Sequence, residues 1–117
     1  MKEDIFDELI GEQLSSVTFV QDYVQIDFDG NGFTLFVWPT VFSNGEILKF
    51  RDIEYRNELC GQIAKTLKNV TFADKKLLEL TFSDDSKISV PLNQDNPEIT
   101  GPEILTYKNN RQEWVVL

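Results

Sequence analysis

The chain has 117 residues, of which 41% are hydrophobic and 26% charged; these values predict one globular domain over 1–117 and argue against two domains of ordinary size. The formal net charge of −9 argues against nucleic acid binding through phosphates, because that affinity comes from clustered lysines and arginines. The sequence has no histidine, which excludes Ser-His-Asp and Cys-His catalysis and the usual Cys/His zinc sites.

The first part of the chain predicts a helix followed by three strands. A helix over about 3–11 gathers its apolar residues on one stripe. The segments 17–19, 24–28 and 33–37 then alternate apolar and polar residues with period two, which is typical of half-buried strands. The stripe of the helix consists of Phe6, Leu9 and Ile10.

A hairpin and a second helix are predicted next. Residues 41–48 read as two short strands, with Asn44-Gly45 as the turn. A helix over about 53–66 follows, with Asp52 as its N-cap and Cys60 as a small buried residue. The apolar stripe of this helix consists of Leu59, Ile63 and Leu67.

The strands after the second helix repeat those after the first. Residues 14–19 read LSSVTF and residues 67–72 read LKNVTF, and two further period-two segments match behind them. We predict an α+β fold of two diverged αβββ-type repeats, over about 3–39 and 53–92. Their antiparallel β-meanders each pack with one helix about a pseudo-twofold, and their strands form one extended or partly closed sheet.

Hairpin loops that keep the apolar residues on one face predict the register. In the first repeat, two-residue loops at 21–22 and 30–31 are predicted to connect the strands, and the loop at 30–31 is predicted to be a type II′ turn. Three-residue loops at 74–76 and 84–86 serve the second. The predicted pairs are Phe19–Val24 and Phe28–Phe33 in the first repeat, and Phe72–Leu78 and Phe82–Ile88 in the second.

The end of the chain carries weaker signals. Residues 93–102 are predicted to be the main loop because they are rich in Asn, Gly and Pro. Residues 103–108 are ambiguous between helix and strand. A last strand is predicted over about 112–117.

The pattern of DYVQIDFDG at 22–30, VPL at 90–92, GPE at 101–103 and Trp114 resembles a family of small bacterial proteins of unknown function. That resemblance implies no activity. In size, charge and class the chain is also similar to the α+β domains found among bacterial immunity proteins.

The N-terminus and the cysteine content bear on the compartment. Residues 1–7 are acidic where a secretory signal would be basic and then apolar. The longest apolar stretches, such as 33–38, are far shorter than the ~20 residues that cross a bilayer. Cys60 is the only cysteine, so no intramolecular disulfide can form. We therefore expect a cytoplasmic protein that makes no membrane contact.

One motif resembles a metal site. Asp27-x-Asp29-x-Asn31-Gly32 matches the first half of a calcium-binding loop, but the twelfth position is Trp38 in place of the bidentate glutamate. We interpret the motif as a hairpin turn. No metal ligand, catalytic residue or cofactor-binding residue is assigned, although the alternative of an ion at this turn stays open.

The outward face of the first meander carries Tyr23, Phe36 and Trp38, with Tyr23 and Trp38 as predicted cross-strand neighbours. A helix, a second subunit or a ligand must cover such a face, and protein interfaces favour these aromatic residues. We expect a non-enzymatic acidic protein-binding module, an immunity-like or regulatory partner of a basic protein, or a homodimer. The alternative is a small-molecule or metal-binding domain.

Overall fold

The computed structural model describes residues 6–93 and 104–117. Within these ranges the protein is mostly antiparallel sheet, with a 3₁₀-helix at Asp7–Leu9 and one short α-helix, α1, at Tyr55–Cys60. In chain order the strands are β1 (Ser16–Val20), β2 (Tyr23–Phe28), β3 (Asn31–Leu35), β4 (Thr40–Ser43), β5 (Glu46–Leu48), β6 (Leu67–Ala73), β7 (Leu77–Phe82), β8 (Lys87–Pro91), β9 (Leu105–Lys108) and β10 (Trp114–Val116).

The strands form two separate five-stranded sheets, so the prediction of one extended or partly closed sheet is wrong. The first sheet has the order β1-β2-β3-β9-β10, and the second has the order β5-β4-β8-β7-β6. The β4-β5 hairpin, which follows the first meander (β1-β2-β3) in sequence, therefore belongs to the second sheet. The β9-β10 hairpin, which follows the second meander (β6-β7-β8), belongs to the first sheet. The chain bends at Phe36 and Val37, and Pro39 has no N–H with which to continue the ladder of the first sheet.

One hydrophobic core lies between the two sheets, because inward-facing residues of both belong to a single buried cluster. Phe28 and Phe82, predicted as core positions, are both fully buried. Fully or almost fully buried members include Val24, Ile26, Phe28, Phe33 and Leu35 from the first sheet, and Leu78, Leu80, Phe82, Ile88 and Val90 from the second.

The register of the first meander matches the prediction at one hairpin only. Phe19 pairs with Val24, as predicted. The β2-β3 turn is Asp29-Gly30, with φ angles of 54° and 98°, which suits a type I′ turn better than the predicted type II′ turn at 30–31. Phe28 therefore lies opposite Asn31. The predicted pair with Phe33 is wrong by two residues, a slip that leaves every side chain on its expected face.

The second meander differs from its prediction in the same way. Phe72 pairs with Leu78, as predicted. Ile88 pairs with Leu80 instead of Phe82, again a shift of two residues. The β7-β8 turn begins one residue earlier than predicted and places Asp85 at a φ of 71°.

The second helix is shorter than predicted. Instead of spanning 53–66, α1 ends at Cys60, and Ala64 has a φ of 76° that a helix cannot contain. Asp52 is not the N-cap, since its carboxylate accepts a hydrogen bond from the Lys49 N–H at 2.7 Å. Cys60 is exposed rather than buried, because α1 turns its last residue to solvent. Ile63, beyond the helix, is 39% exposed.

The first helix and the end of the chain agree with prediction in part. Of the helix predicted over 3–11, a 3₁₀-turn forms at Asp7–Leu9, while residues 3–5 lie outside the described residues. The Asn44-Gly45 hairpin is confirmed. Residues 105–108 are strand, and the last strand is confirmed. Most of the loop predicted over 93–102 lies outside the described residues.

The two halves of the chain also pair directly. The extended segments 11–14 and 64–67 run antiparallel, with an isolated bridge between Gln13 and Thr66. Four backbone hydrogen bonds join them: Gly11 N to Leu67 O (2.8 Å), Ala64 N to Leu14 O (2.7 Å), Leu67 N to Glu12 O (2.8 Å) and Leu14 N to Lys65 O (3.1 Å). None of the helices in the described part of the chain has the length and apolar character to span a membrane.

Candidate functional site

Two of the three predicted surface aromatics form a pair on the outer face of the first sheet. Val24 and Leu35 point into the core and lie opposite each other on β2 and β3, so their neighbours Tyr23 and Phe36 point outward together. The two ring centroids are 5.8 Å apart, with the ring planes tilted by 53°. Phe36 is 38% exposed, and Tyr23 is half-buried.

Trp38 does not join this pair, so the prediction that Tyr23 and Trp38 are cross-strand neighbours is wrong. The indole of Trp38 stacks on Phe50, with centroids 4.1 Å apart and planes 2° from parallel, and it also faces Phe19 at 6.4 Å. The two-residue shift in register and the bend after Leu35 account for the difference. The preference of Asp-Gly for a type I′ turn is the sequence signal that would have placed Phe36 opposite Tyr23.

Within 6–93 and 104–117, the rest of this outer face carries small polar residues between apolar ends. Thr34 lies opposite Gln25 on one side and Thr106 on the other. At the far edge, on β10, Trp114 is 60% exposed and Val116 is 52% exposed. Among the residues described, the outer face of the first sheet therefore combines aromatic groups and hydroxyl groups that a partner can contact.

The charge beside the aromatic pair is negative, while Lys108 places a positive charge 5.4 Å from the centre of the Trp114 ring at the other end of the face. Asp22, in the turn beside Tyr23, is exposed and forms no ion pair with any described residue. The same holds for Asp29, Glu46 and Asp74, each of which lies at or beside a hairpin turn. These free carboxylates account for much of the acidic character of the surface.

A partly buried polar cluster around Glu8 connects the N-terminal segment to the β9-β10 hairpin. The Tyr107 hydroxyl donates to Glu8 at 2.6 Å, and the Arg111 guanidinium donates to the other carboxylate oxygen at 2.8 Å. Burial, followed by the neighbouring Glu8, raises the pKa of Tyr107 far above its usual range. Hydrogen bonds from Asn109 and Arg111 lower the pKa of Glu113. Each polar group has a partner, which is typical of a structural cluster.

A second polar cluster places Ser86 beside Lys65, the two residue types of a Ser-Lys catalytic pair. The Ser86 hydroxyl donates to Gln62 at 2.6 Å, and the Lys65 ammonium forms an ion pair with Asp84 at 2.7 Å. Hydrogen bonds from Lys65 and Ser86 hold the pKa of Asp84 well below its usual range. Because the amine is paired and the hydroxyl is engaged, this geometry favours a structural role.

Two of the three candidate ligands of the calcium-like motif, Asp27 and Asn31, are used within the fold. The Asp27 carboxylate accepts hydrogen bonds from the Gly30 N–H at 3.0 Å and from the Ser15 hydroxyl at 3.2 Å. The side-chain oxygen of Asn31 accepts from the Asn110 N–H at 3.0 Å. Over 6–93 and 104–117, no group of three acidic or cysteine side chains is arranged to hold a metal ion.

Comparisons of the chain with protein-family models, curated proteins and solved structures find no match. The resemblances to a bacterial family and to immunity proteins therefore stay hypotheses.

Proposed function

We propose that the protein is a non-enzymatic binding module that docks a basic protein partner on the outer face of its first sheet. The observation that carries this proposal is the Tyr23–Phe36 ring pair, which lies on an open sheet face instead of in the core. Tyrosine is among the residues most enriched at energetic centres of interfaces. A partner that covers the two rings removes apolar surface from water.

Charge supports a basic partner. The net charge of −9 speeds the approach of a positively charged surface through electrostatic steering. Asp22, exposed and free of ion pairs within the described residues, lies next to Tyr23 in the chain. A lysine or arginine of the partner can therefore pair with Asp22 and pack its cation over the Tyr23 ring.

The proposal includes the internal repeat, with two αβββ-type units related by a pseudo-twofold. Gln13 and Thr66 directly precede Leu14 and Leu67, the first residues of the two L-x-x-V-T-F segments. The bridge between Gln13 and Thr66 thus joins equivalent positions, as a twofold axis through an antiparallel pair requires. The same correspondence relates the four hydrogen bonds in two pairs. The bond from Gly11 N to Leu67 O matches that from Ala64 N to Leu14 O, and the bond from Leu67 N to Glu12 O matches that from Leu14 N to Lys65 O.

The repeat also indicates that only one unit carries the docking face. In the second meander the positions matching Tyr23 and Phe36 are Leu77 and Pro91, which lie opposite each other on β7 and β8. Neither residue offers an aromatic ring. We therefore assign partner binding to the first sheet.

Affinity capture with matched variants tests this proposal. The wild-type protein, a Tyr23→Ser/Phe36→Ser variant and an Ile53→Ser control are used as bait in lysate of the cell that makes the protein. Ile53 is 95% exposed and lies ahead of α1, outside the ring pair, so its replacement removes a surface hydrophobe that is not Tyr23 or Phe36. A basic protein captured by the wild type and the control, but not by the double variant, supports the proposal.

Other outcomes count against it. Equal capture by all three baits places the interaction on another surface. If the wild type is a dimer in solution and the double variant is a monomer, the face joins two copies of this chain, and the basic-partner proposal is wrong. Light scattering of both proteins, at the concentrations used for capture, distinguishes these results.

The alternative function, small-molecule or metal binding, has uneven support. The motif of Asp27, Asp29 and Asn31 provides few free ligands for a metal ion, because the side chains of Asp27 and Asn31 already accept hydrogen bonds within the fold. A separate aromatic cleft beside Trp38 favours a small molecule.

A further inference from the structure

A cleft of ≈ 400 Å³ lies beside the β1-β2 turn, and one of its lining residues, Val20, lies opposite Tyr23. Its walls are mostly aromatic. Trp38 and Phe50 stack flat on each other, and Phe19 is inclined by only 24° to the Trp38 ring. The lining residues are Phe19, Val20, Gln21, Trp38, Phe50 and Arg56.

Arginines flank this cleft. Of the three arginines in the chain, Arg56 lines the cleft, and Arg51 lies over the ring of Phe50 without lining the cleft itself. The Arg56 guanidinium is 5.7 Å from the centre of the Phe19 ring, and the Arg51 guanidinium is 6.0 Å from the centre of the Phe50 ring. Both side chains are exposed, and neither forms an ion pair with any described residue. Two guanidinium groups without ion pairs therefore lie beside an aromatic surface in a chain whose net charge is −9.

Buried contacts hold the walls of the cleft in place. Tyr55, the first residue of α1, is almost fully buried, and its hydroxyl donates to the carbonyl oxygen of Pro39. Its ring meets Phe50 edge-on, with centroids 5.9 Å apart. One residue therefore connects the helix that carries Arg56 with the chain that carries Trp38. The aromatic surface and the guanidinium are positioned before any ligand arrives.

The corresponding place in the other half of the chain is filled. Phe72, the counterpart of Phe19 in the second L-x-x-V-T-F segment, packs edge-on against Phe6 at 5.7 Å. Phe6 belongs to the core, so no aromatic surface is left open there. The cleft is thus a specific feature of the Trp38 side of the molecule and not a general consequence of the meander fold.

We propose that this cleft binds a small ligand that combines a planar aromatic ring with a carboxylate or phosphate group. The ring stacks on the aromatic walls beside Trp38, since flat groups share the largest contact area with flat side chains. Arg56 and Arg51 bind the anionic group, because a guanidinium presents paired N–H donors to carboxylate and phosphate oxygens. The residues that bind this ligand are not Tyr23 and Phe36, so this inference does not depend on a protein partner.

Fluorescence of Trp38 tests the proposal. A Trp114→Phe background leaves Trp38 as the only tryptophan, because the chain contains two. The protein is titrated with adenosine 5′-monophosphate and with benzoate, which represent the phosphate and carboxylate sources of the anion. Adenosine, benzamide and inorganic phosphate are the matched controls that lack either the charge or the ring.

We expect at least one anion to change the Trp38 emission and to bind about tenfold or more tightly than its neutral counterpart and than phosphate alone. Response to the nucleotide alone assigns a phosphate ligand, and response to benzoate alone assigns a carboxylate ligand. An Arg51→Gln/Arg56→Gln variant is expected to lose about tenfold in affinity or more. Arg111→Gln, which removes the third arginine far from the cleft, is expected to bind like its parent.

Three results overturn the proposal. The first is no response to either anion at millimolar concentration. The second is equal affinity for an anion and its neutral counterpart, or for an anion and inorganic phosphate. The third is unchanged affinity in the Arg51→Gln/Arg56→Gln variant, whose native fold is verified by its circular dichroism and urea midpoint.

Discussion

Phe28 of the first sheet stacks on Phe82 of the second sheet, with ring centroids 6.4 Å apart and planes 17° from parallel. Each is the last residue of the middle strand of its meander, and both are fully buried. The contact joins the two sheets at the centre of the core. Phe28 also meets Phe33 edge-on at 6.5 Å, so the pair belongs to a larger set of packed rings.

Truncation of either ring is expected to destabilise the whole domain. Phe28→Ala and Phe82→Ala should each lower the free energy of unfolding by about 3–5 kcal/mol, as buried aromatic truncations do. Because the rings touch, the double variant should cost less than the two single costs combined. Urea denaturation measures all three values. A near-neutral effect of either single change contradicts the central position of the pair.

Local signals in the sequence predicted the register of three hairpins correctly and missed those of β2-β3 and β7-β8 by two residues. Asn44-Gly45 identified the β4-β5 turn, and the pairing of Phe19 with Val24 followed from alternation across a short loop. The β2-β3 register was missed because the sequence offers two adjacent two-residue turns, at 29–30 and 30–31. A slip of two residues preserves the buried face, so hydrophobic periodicity cannot choose between them.

Long-range features were beyond the sequence signals. The exchange of hairpins between the sheets depends on which edges meet in space, and local patterns do not encode this choice. Trp38 was misplaced because the two-residue slip at the β2-β3 turn put it opposite Tyr23, and its stacking on Phe50 was not predicted. The outer pair of Tyr23 and Phe36 was predicted as part of the candidate surface, while Arg51 and Arg56 were missed, since exposed arginines carry no periodic signal.

The exchanged hairpins predict that the two halves hold together without a covalent link. A protease recognition sequence inserted between Asp52 and Ile53, at an exposed position, allows specific cleavage. We expect the cleaved protein to remain one complex of unchanged mass, because β4 pairs with β8 and β9 pairs with β3. Light scattering before and after cleavage measures this. Separation into two independently folded fragments contradicts the topology.

The ion pair of Asp84 with Lys65 predicts a dependence of stability on pH. The pKa of Asp84 is lowered from 3.8 by hydrogen bonds from Lys65 and Ser86, so the folded state favours the carboxylate. The stabilisation of the folded state by the Asp84 carboxylate is present above pH 3.8, and it is lost as the pH falls toward the lowered pKa of Asp84 in the folded state. Asp84→Asn should therefore cost about 1 kcal/mol or less at pH 7, since the pair is partly exposed, and still less at pH 2.5.

Urea denaturation at the two pH values tests the Asp84 prediction. Asp74→Asn is the control, because Asp74 is exposed and has no ion pair among the described residues. Asp74→Asn should cost less than Asp84→Asn at pH 7, because it removes no ion pair. A cost of Asp84→Asn that grows as the pH falls has the wrong sign and refutes the role of the carboxylate.

Calcium is expected to leave the stability unchanged. The Asp27 carboxylate is engaged by Gly30 and Ser15, and Trp38 stands where a calcium loop needs its bidentate glutamate. Thermal denaturation with and without millimolar calcium should give melting temperatures within about 1 °C of each other. A rise of several degrees that disappears in Asp29→Ala is the opposite result and establishes an ion site at the turn.

The most direct test of partner binding on the outer face is calorimetric titration of the captured partner into wild type, Tyr23→Ser/Phe36→Ser and Ile53→Ser. The double variant should lose about 2 kcal/mol of binding free energy or more, a factor of roughly 30, as loss of an interface centre does. Its free energy of unfolding should stay within about 1 kcal/mol of wild type, because both positions lie on the outer face. Undiminished binding by the double variant, or its failure to fold, contradicts the claim that Tyr23 and Phe36 form a docking surface.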